Sequence, residues 1–119
     1  MAFILNTWYP VAEIGEIDNG PIERKLVGEE LVVFRGESGA LVALANRCPH
    51  RFAPLHLGTV VGDSIDCPYH GLRFSQAGRC TFNPVGNGHV RTATRVRPYP
   101  VTEKWGYLWI WPAVSLRAA

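Results

Sequence analysis

Cys48-Pro49-His50-Arg51-Phe52-Ala53-Pro54-Leu55 and Cys67-Pro68-Tyr69-His70-Gly71-Leu72-Arg73-Phe74 are the two stretches that decide how this chain is read. Each sets one thiol and one imidazole within a few residues, and sixteen residues separate His50 from Cys67. In both, a proline follows the cysteine. Its ring fixes φ and removes a backbone donor, which suits a stiff bend around a bound group. Gly71 follows His70 directly and permits a close backbone approach or an unusual dihedral. Two such loops, each at the end of a hairpin, can close on a metal centre, with Cys48, His50, Cys67 and His70 as its ligands.

Two metal centres use this donor set. Two Cys and two His form a valid tetrahedral zinc site, but zinc fingers usually pair Cys with Cys and His with His in their local spacings. Here each loop mixes the two. A [2Fe–2S] cluster with one Cys-bound and one His-bound iron uses that mixture when each loop contributes to both irons, Cys48 and Cys67 to one and His50 and His70 to the other. Two ferric ions, two sulfides and two thiolates sum to zero charge, where four thiolates would leave two negative charges. The neutral oxidised form accepts an electron more easily, so potentials rise to roughly −150 to +300 mV against about −400 mV for plant-type ferredoxins. The outer N–H groups of the histidines can couple a proton to the redox state.

Around these loops the chain reads as short strands separated by turns, with almost nothing helical. Glu30–Arg35 and Ala40–Leu44 are apolar or β-branched runs joined by Gly36-Glu37-Ser38-Gly39, a hairpin signal. Ser64–Asp66 leads into the second loop and Leu72–Phe74 leaves it. Gln76-Ala77-Gly78 then turns into Arg79–Phe82. Thr94–Thr102 and Tyr107–Trp111 flank a turn at 103–106, and prolines 98 and 100 demote part of the former to an edge or irregular strand. The expectation is an all-β, antiparallel sandwich or barrel in one domain, residues 1–119. The last residues, 113–119, read as a short tail without a partner strand.

Composition narrows the function. A chain of 119 residues, 47% hydrophobic and 18% charged, suits one ordinary globular domain. The net charge of +2 is small and the basic residues are scattered, which argues against nucleic acid as a partner. No stretch reaches the roughly 18 apolar residues of a membrane helix, and Met1–Pro10 lacks the features of a signal peptide. A cytoplasmic location away from the membrane is therefore expected, where a Cys/His cluster more often means metal or catalysis than disulfides.

The remaining candidates carry less. Cys80 lies in an apolar strand and reads as a buried free thiol. His56 and His89 read as surface or hydrogen-bonded loop residues, with a place near the cluster as the alternative, Arg51 as a scaffold ion-pair partner or a residue that steers an acidic partner, and the four tryptophans as core and sheet-packing residues. Arg91, Arg95 and Arg97 alternate along one strand face, either a solvated stripe or a docking patch for an acidic redox partner. Asn83-Pro84-Val85-Gly86-Asn87-Gly88 is a surface loop or a third loop over the metal centre.

Residues 48–55, residues 67–74 and the stretch Tyr99-Pro100-Val101-Thr102-Glu103-Lys104-Trp105-Gly106-Tyr107-Leu108-Trp109-Ile110-Trp111-Pro112 together resemble the N-terminal Rieske domain of Rieske non-haem iron oxygenases. The aromatic O-demethylase branch, of the vanillate and dicamba demethylase type, is the most similar. Asn6–Ala12 resembles that branch's usual start, and residues 83–88 its third loop. The resemblance implies a Rieske fold, with a small cluster-binding subdomain at about 46–88 and one [2Fe–2S] cluster on Cys48, His50, Cys67 and His70. It implies a ferredoxin or flavin reductase as electron donor and a mononuclear-iron oxygenase domain as acceptor. Neither loop carries the extra cysteine that ties the loops together in respiratory Rieske proteins, which points to the oxygenase or ferredoxin group. The oxygen-activating iron of this family needs two histidines and a carboxylate. Outside the cluster motifs only His56 and His89 remain, so the chain is expected to act as an electron-entry domain, not catalytic towards an organic substrate by itself. A free-standing Rieske-type ferredoxin and a redox-sensing module are the alternatives.

Overall fold

The computed structural model describes residues 7–48, 53–68, 71–84 and 94–112. Among the described residues eleven strands form three antiparallel sheets, which are named here outer, central and loop-bearing. The outer sheet has the order β1 (Tyr9–Glu13), β11 (Tyr107–Ile110), β10 (Val101–Lys104). The central sheet has the order β2 (Ile22–Leu26), β3 (Glu29–Arg35), β4 (Leu41–Ala45), β9 (Pro98–Tyr99). The loop-bearing sheet runs β5 (Thr59–Val61), β6 (Ser64–Asp66), β7 (Arg73–Phe74), β8 (Cys80–Phe82). Two 3-10 turns, Ile14–Asn19 and Leu55–Leu57, are the helical elements among the described residues, and no described helix is long and apolar enough to cross a membrane.

The continuous apolar run of β3 explains the layering. A strand with one face in water alternates apolar and polar residues, whereas one covered on both faces does not. Leu31, Val32, Val33 and Phe34 are all buried, as are Val42, Ala43 and Leu44 opposite them. Period-two alternation sends Leu31, Val33 and Ala43 into a core shared with Ala12, Leu108 and Ile110 of the outer sheet. Val32, Phe34, Val42 and Leu44 face the other way, into a core shared with Ile65, Phe74, Cys48 and Cys67. The central sheet is thus the common floor of a sandwich on one side and of the two cysteine loops on the other.

Three hairpins turn in two residues, that of β5 and β6 through Gly62-Asp63. In the other two, Val27-Gly28 joins β2 to β3 and Trp105-Gly106 joins β10 to β11, and all four residues have positive φ. That is the mirror-image turn whose twist matches antiparallel strands. Neither pair carries the Asn-Gly or Asp-Gly signature, and β1, β2 and β5 are not evident from sequence. The run 94–102 is not one strand. Arg95 makes an isolated bridge with Arg79, Pro98–Tyr99 forms the edge of the central sheet, and the chain crosses at Pro100 to the outer sheet. The prolines do confine that segment to an edge.

The tryptophans depart from the core role expected of them. Leu108 and Ile110 point inward, so alternation turns Tyr107, Trp109 and Trp111 outward. Trp105 is exposed at the turn, packs edge-on to Trp109 at 5.9 Å, and carries the Lys104 ammonium over its face at 4.7 Å. Trp8 and Trp111 make a second edge-on pair at 5.5 Å. They pack the sheet surface.

Candidate metal centre

Cys48 follows β4 through Asn46-Arg47, and Cys67 follows β6 directly. Each is closed into a ring of the same size. The Cys48 N–H donates to the Ala53 carbonyl at 2.9 Å, and the Cys67 N–H to the Leu72 carbonyl at 2.7 Å, in both cases five residues on. The second ring is tightened further by the Gly71 N–H on the Cys67 carbonyl at 3.0 Å. His50 and His70 fall within these rings in the chain and lie outside the described residues, as do Arg51, His89 and Arg91. Both cysteines are buried in one core, and neither is in a disulfide. Two buried thiols at the mouths of matched rings, walled by Leu55 and Leu72, fit the donor set of a metal centre screened from water.

Three contacts hold the rings in position. Asp66 and Arg73 are cross-strand partners flanking the second ring, and their side chains close a forked ion pair at 2.7 and 3.2 Å. The Asp66 carboxylate raises the Arg73 pKa further still, and the guanidinium lies 5.3 Å from the Phe82 ring. Gly58, after the first ring, approaches the strand leading to Cys67 so closely that a Cβ there would sit 1.9 Å from the Asp66 carbonyl oxygen. Gly71 has φ +78°, and its missing Cβ leaves room for Pro84, whose Cγ would lie 3.1 Å away. Pro84 is the second residue of the 83–88 loop, so that loop sets out against the second ring; its continuation, 85–88, lies outside the described residues.

Asn46 was not legible as a functional residue. It is the buried polar side chain of the described residues, and it bridges the strand before Cys48 to the 3-10 turn after the first ring. Its Oδ1 accepts the His56 backbone N–H at 2.8 Å, which leaves its amide nitrogen to donate to His56 Nδ1 at 2.9 Å. The geometry assigns the His56 proton to Nε2. His56 is therefore a hydrogen-bonded loop residue, as expected, and part of the first ring's anchorage. An asparagine just before a Cys-Pro-His motif was the available signal. Cys80 is a buried thiol, also as expected; burial pushes its pKa up, and its Sγ lies 3.6 Å from the Phe82 carbonyl oxygen.

Known proteins place this geometry. Residues 7–100 match the family model described as Rieske [2Fe–2S] domain. The chain is 47% identical over 109 residues to the oxygenase component of chloroacetanilide N-alkylformylase from Rhizorhabdus wittichii, covering 92% of this chain and 31% of that protein. It is 42% identical over 112 residues to the oxygenase component of dicamba O-demethylase from Stenotrophomonas maltophilia, covering 94% and 33%. A crystal structure of dicamba monooxygenase with non-heme iron and dicamba superposes with a TM-score of 0.88 at 41% identity, covering 94% of this chain and 34% of that one. The chain spans about a third of the length of these relatives. The matched rings, the common core behind both cysteines and the three-sheet layering lead to one assignment: this chain belongs to the Rieske [2Fe–2S] domain family, whose cofactor is a Rieske-type cluster.

Proposed function

We propose that residues 1–119 form one Rieske domain that passes single electrons, with a cluster-binding subdomain at about 46–88 and Cys48, His50, Cys67 and His70 as ligands. The observation that carries this reading is the pair of equal rings that open on Cys48 and Cys67 over one shared core. When bound there, the cluster supplies a one-electron acceptor of higher potential than an all-cysteine one. The chain's own residues do the rest. Leu55, Leu72 and Phe74 keep water from the thiolates, and Asn46, Gly58 and the Asp66–Arg73 pair hold the rings in place.

The domain works as the electron-entry part of a Rieske oxygenase in the cytoplasm. It takes electrons from a ferredoxin or flavin reductase and passes them to a mononuclear-iron site in an oxygenase domain. Relatives described as oxygenase components support this placement. Iron–sulfide reconstitution tests it. Visible and EPR spectra of the dithionite-reduced protein should show a mixed His/Cys cluster, and His50→Cys should lower the potential. A colourless protein loaded with zinc would sink the reading.

A further inference from the structure

Arg79 and Arg95 face each other across an isolated antiparallel bridge between the start of β8 and the segment leading to β9. The flanking hydrogen bonds belong to their neighbours: Cys80 N–H to the Thr94 carbonyl at 3.2 Å, and Val96 N–H to the Gly78 carbonyl at 2.8 Å. The two arginines are therefore the non-hydrogen-bonded pair, the register in which opposed side chains come closest, with Cα atoms about 4.5 Å apart. Like charges in that position destabilise a sheet. Both side chains are exposed, and among the described residues neither guanidinium has a carboxylate within ion-pair reach.

The repulsion continues into a cleft. Arg97 lies two residues beyond Arg95 with buried Val96 between them, which keeps both arginines on the outer face. Arg95, Arg97 and Arg47 line a cleft of about 390 Å³ together with Glu29 and Glu30. Glu29 reaches Arg97 at only 3.8 Å. Arg47 directly precedes Cys48, so the cleft opens beside the first ring.

We infer that Arg79, Arg95, Arg97 and Arg47 are the docking surface for an acidic electron-carrier protein, an inference that rests on the electron-transfer reading above. Carboxylates of the partner relieve the Arg79–Arg95 repulsion that the fold leaves unanswered. Glu29 and Glu30 interleave the arginines, so the surface matches a protein face of mixed charge better than a continuous polyphosphate. Complementary charge of this kind acts mainly on the rate of encounter.

The test uses the cluster-loaded chain with two donors: a reduced plant-type ferredoxin as acidic protein donor, and reduced methyl viologen as small cation. In stopped-flow mixing at low ionic strength, Arg79→Gln/Arg95→Gln should lose about tenfold or more in second-order rate with the ferredoxin. That loss should shrink as salt shortens the screening length. The viologen rate should not fall, the visible spectrum should not change, and Arg79→Lys/Arg95→Lys should keep most of the ferredoxin rate. A ferredoxin rate within twofold of wild type overturns the docking surface while viologen reduction leaves the electron-transfer reading standing. A loss with both donors, or an altered spectrum, overturns it as well, since the arginines would then act on the cluster. A loaded cluster that neither donor reduces in the wild type removes the electron-transfer reading itself.

Discussion

The floor of this molecule and its cysteine-bearing top are ordered by different means. In the outer and central sheets, strands of up to seven residues bury Leu31, Val33, Ala43, Leu108 and Ile110 against one another, and the order is spread over many side chains. The loop-bearing sheet has strands of two or three residues. There, position depends on single contacts: the Gly58 approach to Asp66, the Asp66–Arg73 fork and the Asn46 clamp on His56. Strands this short pair over few residues, so the sheet they form leans on the core beneath it. The floor can fold on apolar burial, whereas the proposed bound centre would complete the top.

Removing one thiolate should separate the top from the floor most severely. Metal binding that exists only in the folded state is folding energy, on the order of 10 kcal/mol in structural zinc peptides. Cys67→Ser should lose the cluster and, with it, amide-exchange protection across β5–β8, while β3 and β4 keep much of theirs. Near-UV circular dichroism should fall accordingly. A metal-free variant with native dichroism and full protection of β6 would show that the top is as self-sufficient as the floor.

A single methyl group tests the same contrast at smaller scale. At Gly58 a Cβ would meet backbone, 1.9 Å from the Asp66 carbonyl oxygen and 3.2 Å from that of Leu55, and neither strand can yield cheaply. Gly58→Ala should cost about 1–3 kcal/mol in urea unfolding, the range of overpacking, and should broaden the EPR signal by displacing the two rings. Gly15 sits beside the outer sheet, with Asp18 Oδ2 at an ordinary 3.8 Å. Gly15→Ala should stay within about 0.5 kcal/mol. Equal costs at the two glycines would erase the distinction.

The two regions were also unequally legible in the sequence. The β3–β4 hairpin showed itself because a run of four apolar residues, a Gly-flanked turn and a second apolar run follow one another within sixteen residues. The candidate ligands stood out because thiol and imidazole recur with proline at matched positions. What stayed hidden depends on partners distant in the chain. The β2–β3 turn is Val27-Gly28, with a β-branched residue at φ 53°, where turn chemistry favours Asn or Asp. β1 is recognisable only beside β11, nearly a hundred residues away. Asp66 and Arg73 become a pair only once the register of β6 and β7 is known, and Asn46 only once the first ring returns His56 to it.

The smallest effect concerns the joint between the two regions. The β3–β4 turn belongs to the floor and the β5–β6 turn to the top. Asp63 ties them by accepting the Ser38 N–H at 3.0 Å and the Ser38 hydroxyl at 2.6 Å, beside a Glu37 N–H to Gly62 carbonyl bond at 2.9 Å. The Ser38 hydroxyl first, and its N–H second, hold the Asp63 carboxyl below its ordinary 3.8. A depressed folded-state pKa means that the carboxylate stabilises the native state above that ordinary value, and that the contribution fades as pH falls through the lower, folded one. The stability difference between wild type and Asp63→Asn should therefore be constant above about pH 5 and narrow below 3.8 as the wild-type carboxyl protonates. Denaturant titrations at a series of pH values measure it. Because the carboxylate is open to solvent, screening keeps the effect small, and added salt should reduce it further. A difference that stayed constant through the acid range would mean that the two turns are joined by the Glu37–Gly62 backbone bond alone, and that the charge on Asp63 plays no part in coupling floor to top.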